Sequence, residues 1–389
     1  MVHSKSNGAT NGLNEVLKRV ELSRYLTREP VTLALLTLLA AVFLLAVSGL
    51  SRIYQLQQQS LAERWADQGS ADLKEGQFRP AVSDFRTALL YARDNNAYQL
   101  SLAQALMGLD RTSEARAYLI NLWEREPDNG LVSLELARIA VGKSDTEQAL
   151  RYYHNAIYAT WTGGDQETQR RSARLELISY LLQIGAKTQA EAELIDLGAS
   201  LGEDAGQQAL LGGLFLRVGD SQRALAAFRE SLKLDRGDQS AMAGAGAAAY
   251  KLGLYSQADR YLRAAVAAYP ADDKSAALLN ATESVLHWDP YLPQIPDARR
   301  DQIVVDAFAA AGQRIHSCAA PSNQEKSLAQ AWDALKPKIT VRRLRQDPDP
   351  VDPAMNLIFQ IERQAGNSCT AANDTDRALL LIANLQEDH

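Results

Sequence analysis

Residues that could carry chemistry are few and scattered along this chain. Five histidines stand at positions 3, 154, 287, 316 and 389, with no spacing that would bring two of them together as metal ligands. His316 lies two residues before Cys318, but one imidazole and one thiol are too few for a metal site, so the pair reads as helix surface. Gly244-Ala245-Gly246-Ala247-Ala248-Ala249 has the letters of a dinucleotide-binding loop. That loop needs a strand before it and a helix opening at it, whereas these residues fall in the middle of a helical pattern. No phosphate loop, HExxH or CxxC occurs. The sequence therefore assigns no catalytic residue, no cofactor, no metal ligand and no small-molecule substrate, and is read as that of a non-enzyme.

What is regular is a skeleton. Ala81, Ala115 and Ala149, then Ala190, Ala224 and Ala258, recur every 34 residues within each trio, with seven extra residues between the trios. Four residues after each alanine comes a large side chain: Phe85, Leu119, Tyr153, Leu194, Phe228, Leu262. Seven after it come Ala88, Leu122, Ala156, Leu197, Ser231 and Ala265. Twelve before it come Gly69, Ala103, Ala137, Ile178, Gly212 and Gly246, small in five cases of six. Five before it stands a turn former: Gly76, Asp110, Ser144, Gly185, Gly219, Gly253. The small residue and the alanine sit where two antiparallel helices cross, and a larger side chain there would push the backbones apart. The turn former ends the first helix, and the large residue one helical turn after the alanine fills the space beside the close contact. One such hairpin cannot bury its apolar face alone, so hairpins stack.

A 34-residue unit of this arrangement resembles the tetratricopeptide repeat (TPR). Trp65 at the fourth position of the first repeat, and Pro127 and Pro270 closing the second and sixth, agree with the family pattern. The resemblance implies an all-α fold: a solenoid of about six helix-turn-helix repeats over 62–95, 96–129, 130–163, 171–204, 205–238 and 239–272. It also implies a concave groove lined by the second, fifth, ninth, twelfth and thirteenth positions. Carried over, the groove holds Leu73 and Lys74, then Leu100, Gln104 and Met107, then Leu131, Leu134, Arg138 and Val141. The later repeats add Leu175, Ser179 and Leu182, then Leu216 and Arg217, then Tyr250 and Lys251. Members that clamp a C-terminal carboxylate carry asparagine at the ninth position. Ser70, Gln104, Arg138, Ser179, Gly213 and Ala247 stand there, so that activity is not expected. A mostly apolar groove with a few cations suits an amphipathic helix or extended peptide of a protein partner. Several of its leucines are equally well explained as packing between repeats. Trp161, beside the insertion 164–170, is either an exposed anchor or a plug for an irregular junction.

Ahead of the repeats, residues 31–50 contain no charge and are long enough to cross a hydrocarbon core of about 30 Å. Lys18, Arg19, Arg24 and Arg28 precede this stretch, and Arg52 and Arg64 follow it. The bias places 1–30 in the cytoplasm and the repeats outside, at a bacterial inner membrane. Residues 1–12 read as disordered, and Leu13, Val16, Leu17 and Val20 as a helix lying on the membrane or leading into the span. Residues 51–61 form a helical linker. Cleavage after Ser48 is the competing reading, but thirty mixed-charge residues are long for a signal peptide. The net charge of −6 and the absence of a long basic run after the first thirty residues exclude nucleic acid as the main partner.

Beyond the repeats, 273–287 reads as a capping helix and Trp288–Pro296, with Pro290, Pro293 and Pro296, as a linker, the two filling 273–297. Residues 298–389 form a separate helical domain with apolar stripes at Ile303–Ile315, Leu328–Leu335, Met355–Ile361 and Leu379–Leu385. If this domain is extracytoplasmic, Cys318 and Cys369 form a disulfide rather than two free thiols. Such a bridge would close a loop of about fifty residues, worth about 4 kcal/mol. The expected function is a membrane-anchored periplasmic scaffold in envelope assembly, secretion or maturation of exported proteins. The alternatives are a cytoplasm-facing adaptor, a soluble secreted protein, and an enzyme with its site in the C-terminal domain.

Overall fold

The computed structural model describes residues 10–161, 164–319, 321–365, 369 and 371–387, and their side chains from 32 to 386. The segment before residue 10, Gly163, and the side chains of Leu13–Val20, Arg24 and Arg28 lie outside the described residues. The described residues form eighteen helices and no strand. The chain divides into two compact units, Met1–Ala173 and Arg174–His389.

The first unit begins with α1, Thr10–Lys74, a single helix of 65 residues. Its apolar stretch is bare on every side: Leu33 is 61% and Phe43 68% exposed. By length and composition this helix is able to cross a membrane. The same helix continues without a break into the first half of the first repeat. Then follow α2 (Phe78–Tyr91), α3 (Asn96–Gly108), α4 (Thr112–Arg125), α5 (Gly130–Gly142) and α6 (Thr146–Tyr158), each packed on its predecessor. α7 (Gln166–Gln183) spans the division between the units.

The second unit contains α8 (Lys187–Ser200), α9 (Ala205–Val218), α10 (Ser221–Leu234), α11 (Gln239–Lys251), α12 (Tyr255–Ala268) and α13 (Asp273–Trp288). Its C-terminal part is α14 (Asp297–His316), α15 (Asn323–Leu335), the short α16 (Val341–Leu344), α17 (Val351–Gln364) and α18 (Asp374–Glu387).

The hairpins close as the side-chain sizes dictate. All six skeleton alanines are 0% exposed. Where the small residue is glycine, the large residue following the alanine lies against it: a methyl on Gly246 would stand 2.6 Å from Leu262 Cγ, and one on Gly212 2.9 Å from the Phe228 ring. All six turn formers have positive φ, including the two that are not glycine, Asp110 at 63° and Ser144 at 58°. A second periodic device sets the repeat junctions. Asn95, Asn129, Asp204, Asp238 and Asp272 each accept a hydrogen bond from a backbone N–H at the start of the next helix.

The C-terminal helices share one core with the end of the repeats. Tyr255 and Val285 belong to the same buried cluster as Phe308, Trp332, Met355, Ile358 and Ile382. Trp332 stacks on Phe308 at 5.1 Å and donates its Nε1–H to the Phe308 carbonyl at 2.7 Å. Gly312 leaves the room its indole occupies. Cys318 and Cys369 are joined in a disulfide.

Candidate functional site

In the first unit the first helices of the second and third repeats carry the residues expected, by resemblance, to line a groove. α3 starts on the Asn95 cap and α5 on the Asn129 cap, which fixes where each helix begins and so which residues share a face. Leu100 and Met107 on α3, with Leu131 and Val141 on α5, are half-buried, each presenting part of an apolar side chain. Between them lies a polar cluster whose centre is Glu135. Its side chain is 5% exposed and accepts from Gln104 Nε2 at 2.8 Å and from Arg138 Nη1 at 3.1 Å. Gln104 and Arg138 occupy the ninth position of successive repeats, and Glu135 ties one repeat to the next. Glu135 is enclosed, so its charge-assisted hydrogen bonds to both neighbours link α3 to α5. Arg138 keeps 40% of its side chain exposed.

Glu135 is absent from the sequence-derived groove although it left a signal. It is the one acidic residue in a mostly apolar helix, three residues before Arg138. Leu134 is a correction: at 4% exposure it packs inside the repeat, because the fifth position of α5 faces the neighbouring helices. Toward the first repeat, Leu73 is half-buried and Lys74 exposed. Burial together with Glu63 and Asp67 pushes the Tyr98 phenol up, so carboxylates of α1 stand close to α3. Trp161 resolves as the plug. It is 5% exposed, donates its Nε1–H to the Ala156 carbonyl at 2.9 Å and fills the space over Gly130. The backbone pairs locally there, Gly130 N–H to the Thr160 carbonyl at 3.0 Å and Thr160 N–H to that of Asp128 at 2.9 Å.

In the second unit the corresponding apolar positions are drawn into packing. Leu175, Leu182 and Leu216 lie against the buried cluster of Leu194, Leu211, Phe215 and Phe228. Tyr250 is half-buried between that cluster and the C-terminal core, with its ring 5.5 Å from Tyr255, and burial raises its phenol pKa. Ser179, Arg217 and Lys251 are exposed.

The dinucleotide-loop letters have a packing explanation. Gly244 and Gly246 lie within α11, where a side chain on the first would strike Phe228 and on the second Leu262. In the C-terminal part, Cys318, Glu325 and Cys369 bring ligand atoms within 4.8 Å of one another. The sulfurs are bonded to each other, which leaves no thiolate to hold a metal ion. His316 is exposed, facing Trp332 at 5.2 Å and Asp333 at 3.5 Å.

Residues 66–130 and 210–273 match the tetratricopeptide repeat family, and the chain carries these repeats. Among solved structures it is similar to the C-terminal part of a TPR repeat-containing protein from Cytophaga hutchinsonii, at 12% identity over 77% of this chain and 95% of that one, with a TM-score of 0.42. PilW, described as a widely conserved type IV pilus biogenesis factor, is 16% identical over 56% of this chain and 98% of its own, with a TM-score of 0.40. YrrB, a TPR protein with an unusual peptide-binding site, is 16% identical over 51% of this chain and 97% of its own, with a TM-score of 0.39. No curated protein matches the sequence.

Proposed function

We propose that this tetratricopeptide-repeat chain is a membrane-anchored scaffold that holds a protein partner against the first helices of its second and third repeats. Repeats of this family serve protein–protein interaction, and the finer assignment rests on one observation. Around the Gln104–Glu135–Arg138 cluster, Leu100, Met107, Leu131 and Val141 remain partly uncovered while the enclosed Glu135 is paired with both of its neighbours. A polar centre bordered by apolar side chains suits an amphipathic helix or extended peptide.

The anchor is residues 31–50. Residues 32–50 are exposed on a helix long and apolar enough to cross a membrane, which supports this reading. Because α1 runs on into the first repeat, the repeats stand directly on the anchor. With the basic flank on the N-terminal side, they face the periplasm, where the partners are proteins being exported, matured or assembled into the envelope.

The test is photo-crosslinking in living cells from a probe replacing Leu100, with a probe at buried Leu134 as control. One dominant envelope-protein adduct at Leu100, absent at Leu134, is expected. Cytoplasmic adducts would overturn the orientation, and adducts equal at both sites would overturn the groove.

A further inference from the structure

The proline-rich stretch after α13 is not a loose connection. Pro290 is buried and Gln294 takes a positive φ of 64°, which folds the segment back beside the start of α14. Between this segment, α14 and the α16–α17 region lies a cleft of about 980 Å³. Its apolar walls include Pro290, Leu344 and Val351. Asp301 lines it from α14 and is 5% exposed, and its Oδ2 has no hydrogen-bond partner among the described residues. A buried carboxylate oxygen without a partner is costly, and such groups are ordinarily met by a donor or a cation.

We propose that this cleft takes a cationic side chain of a partner protein, its aliphatic stem against the apolar walls and its ammonium or guanidinium on Asp301. The other groups facing the cleft agree. Asp352 adds a second carboxylate at the rim. Arg300 is already held by Asp297 at 3.0 Å. Arg345 is exposed and makes no ion pair with Asp301. The Tyr291 phenol is pushed up to about 12, first by burial and then by Asp352 and Asp289.

A divalent metal fits less well. Among the described residues the one group of three candidate ligands close enough to hold a metal ion is the disulfide pair with Glu325, and Asp297, Asp301 and Asp352 do not form another. A single buried carboxylate beneath apolar walls matches a monovalent head on a hydrocarbon stem. This inference concerns the C-terminal helices and stands apart from the repeat groove.

Titration calorimetry on the full chain in nonionic detergent tests it, with N-acetyl-lysine methylamide, N-acetyl-arginine methylamide and neutral N-acetyl-norleucine methylamide as probes. One or both cationic probes should bind with Kd on the order of 1 mM, and the norleucine probe at least tenfold more weakly. The stronger cationic probe tells ammonium from guanidinium. Asp301→Asn should weaken it at least tenfold, and Asp352→Asn less. If Asp301→Asn fails to fold, the contrast between the lysine and norleucine probes decides. Equal binding of those two, full affinity in folded Asp301→Asn, or no binding of either cation overturns the proposal.

Discussion

The repeat helices and the C-terminal helices close their cores by different means. In the repeats one contact recurs: a small residue on the first helix receives the large residue that follows the buried alanine on the second, as Gly212 receives Phe228 and Gly246 receives Leu262. Each copy adds a similar increment, and stability is distributed along the stack. In the C-terminal part each device occurs once. Trp332 lies over Gly312, a disulfide ties Cys318 to Cys369, and a buried Arg314 pairs with Glu362, with Asp376 3.9 Å from its Nε. A periodic core tolerates local loss, whereas a core of single devices concentrates its risk in a few residues.

The contrast is sharpest at the disulfide. Replacing Cys318 and Cys369 by serine should destabilise the C-terminal helices by about 4 kcal/mol, since the bridge spans 51 residues. Amide exchange should rise in α15 and α17 and stay unchanged in α5. An equal rise in α5 would mean that the two kinds of core unfold as one.

A smaller effect is expected at Glu362. Burial, with Asp376 adding and Arg314 opposing, pushes its carboxyl up to about 7 from the ordinary 4.5. A carboxyl raised in the folded state contributes stability that is full below its unfolded value. That contribution is lost as pH rises through the folded value. The melting temperature should therefore fall between pH 4.5 and pH 7 through this group, and Glu362→Gln should flatten that slope. The difference is on the order of 1–3 kcal/mol, read by thermal unfolding across the pH series. A slope unchanged in the variant would remove Glu362 as its source.

The smallest change lies in the repeats. Ser144 ends α5's turn at φ 58°, where four of its five counterparts are glycine. Ser144→Gly should stabilise the third repeat by about 1 kcal/mol, by relieving the left-handed backbone. A loss of stability by urea titration would show that the serine side chain contributes more than its backbone costs.

Much of the groove's scaffolding was legible because it repeats. The alanines, their large followers and the turn formers stand out by spacing alone, and so do the cap residues Asn95, Asn129, Asp204, Asp238 and Asp272 once sought. The proposed groove was legible only in part. Family positions placed Gln104 and Arg138, which the structure brings together, but left out Glu135 between them, since a repeat pattern marks recurring residues and Glu135 occurs once. The same positions cannot tell a leucine that faces solvent from one, like Leu134, that faces its neighbour, because both are apolar at helical spacing.

What the sequence determined by itself was local and periodic: helices, their turns, the close crossings and an apolar segment able to span a bilayer. Backbone sterics and side-chain size act over a few residues, so their mark is visible in spacing. The tertiary structure alone decided what depends on residues far apart in the chain. It made Trp161 a plug, drew Tyr250 into the C-terminal core and folded Pro290 and its neighbours into the wall of a cleft. It also left Asp301 buried without a partner. Burial is set by which distant segment arrives to cover a side chain, and no spacing within the segment records that arrival.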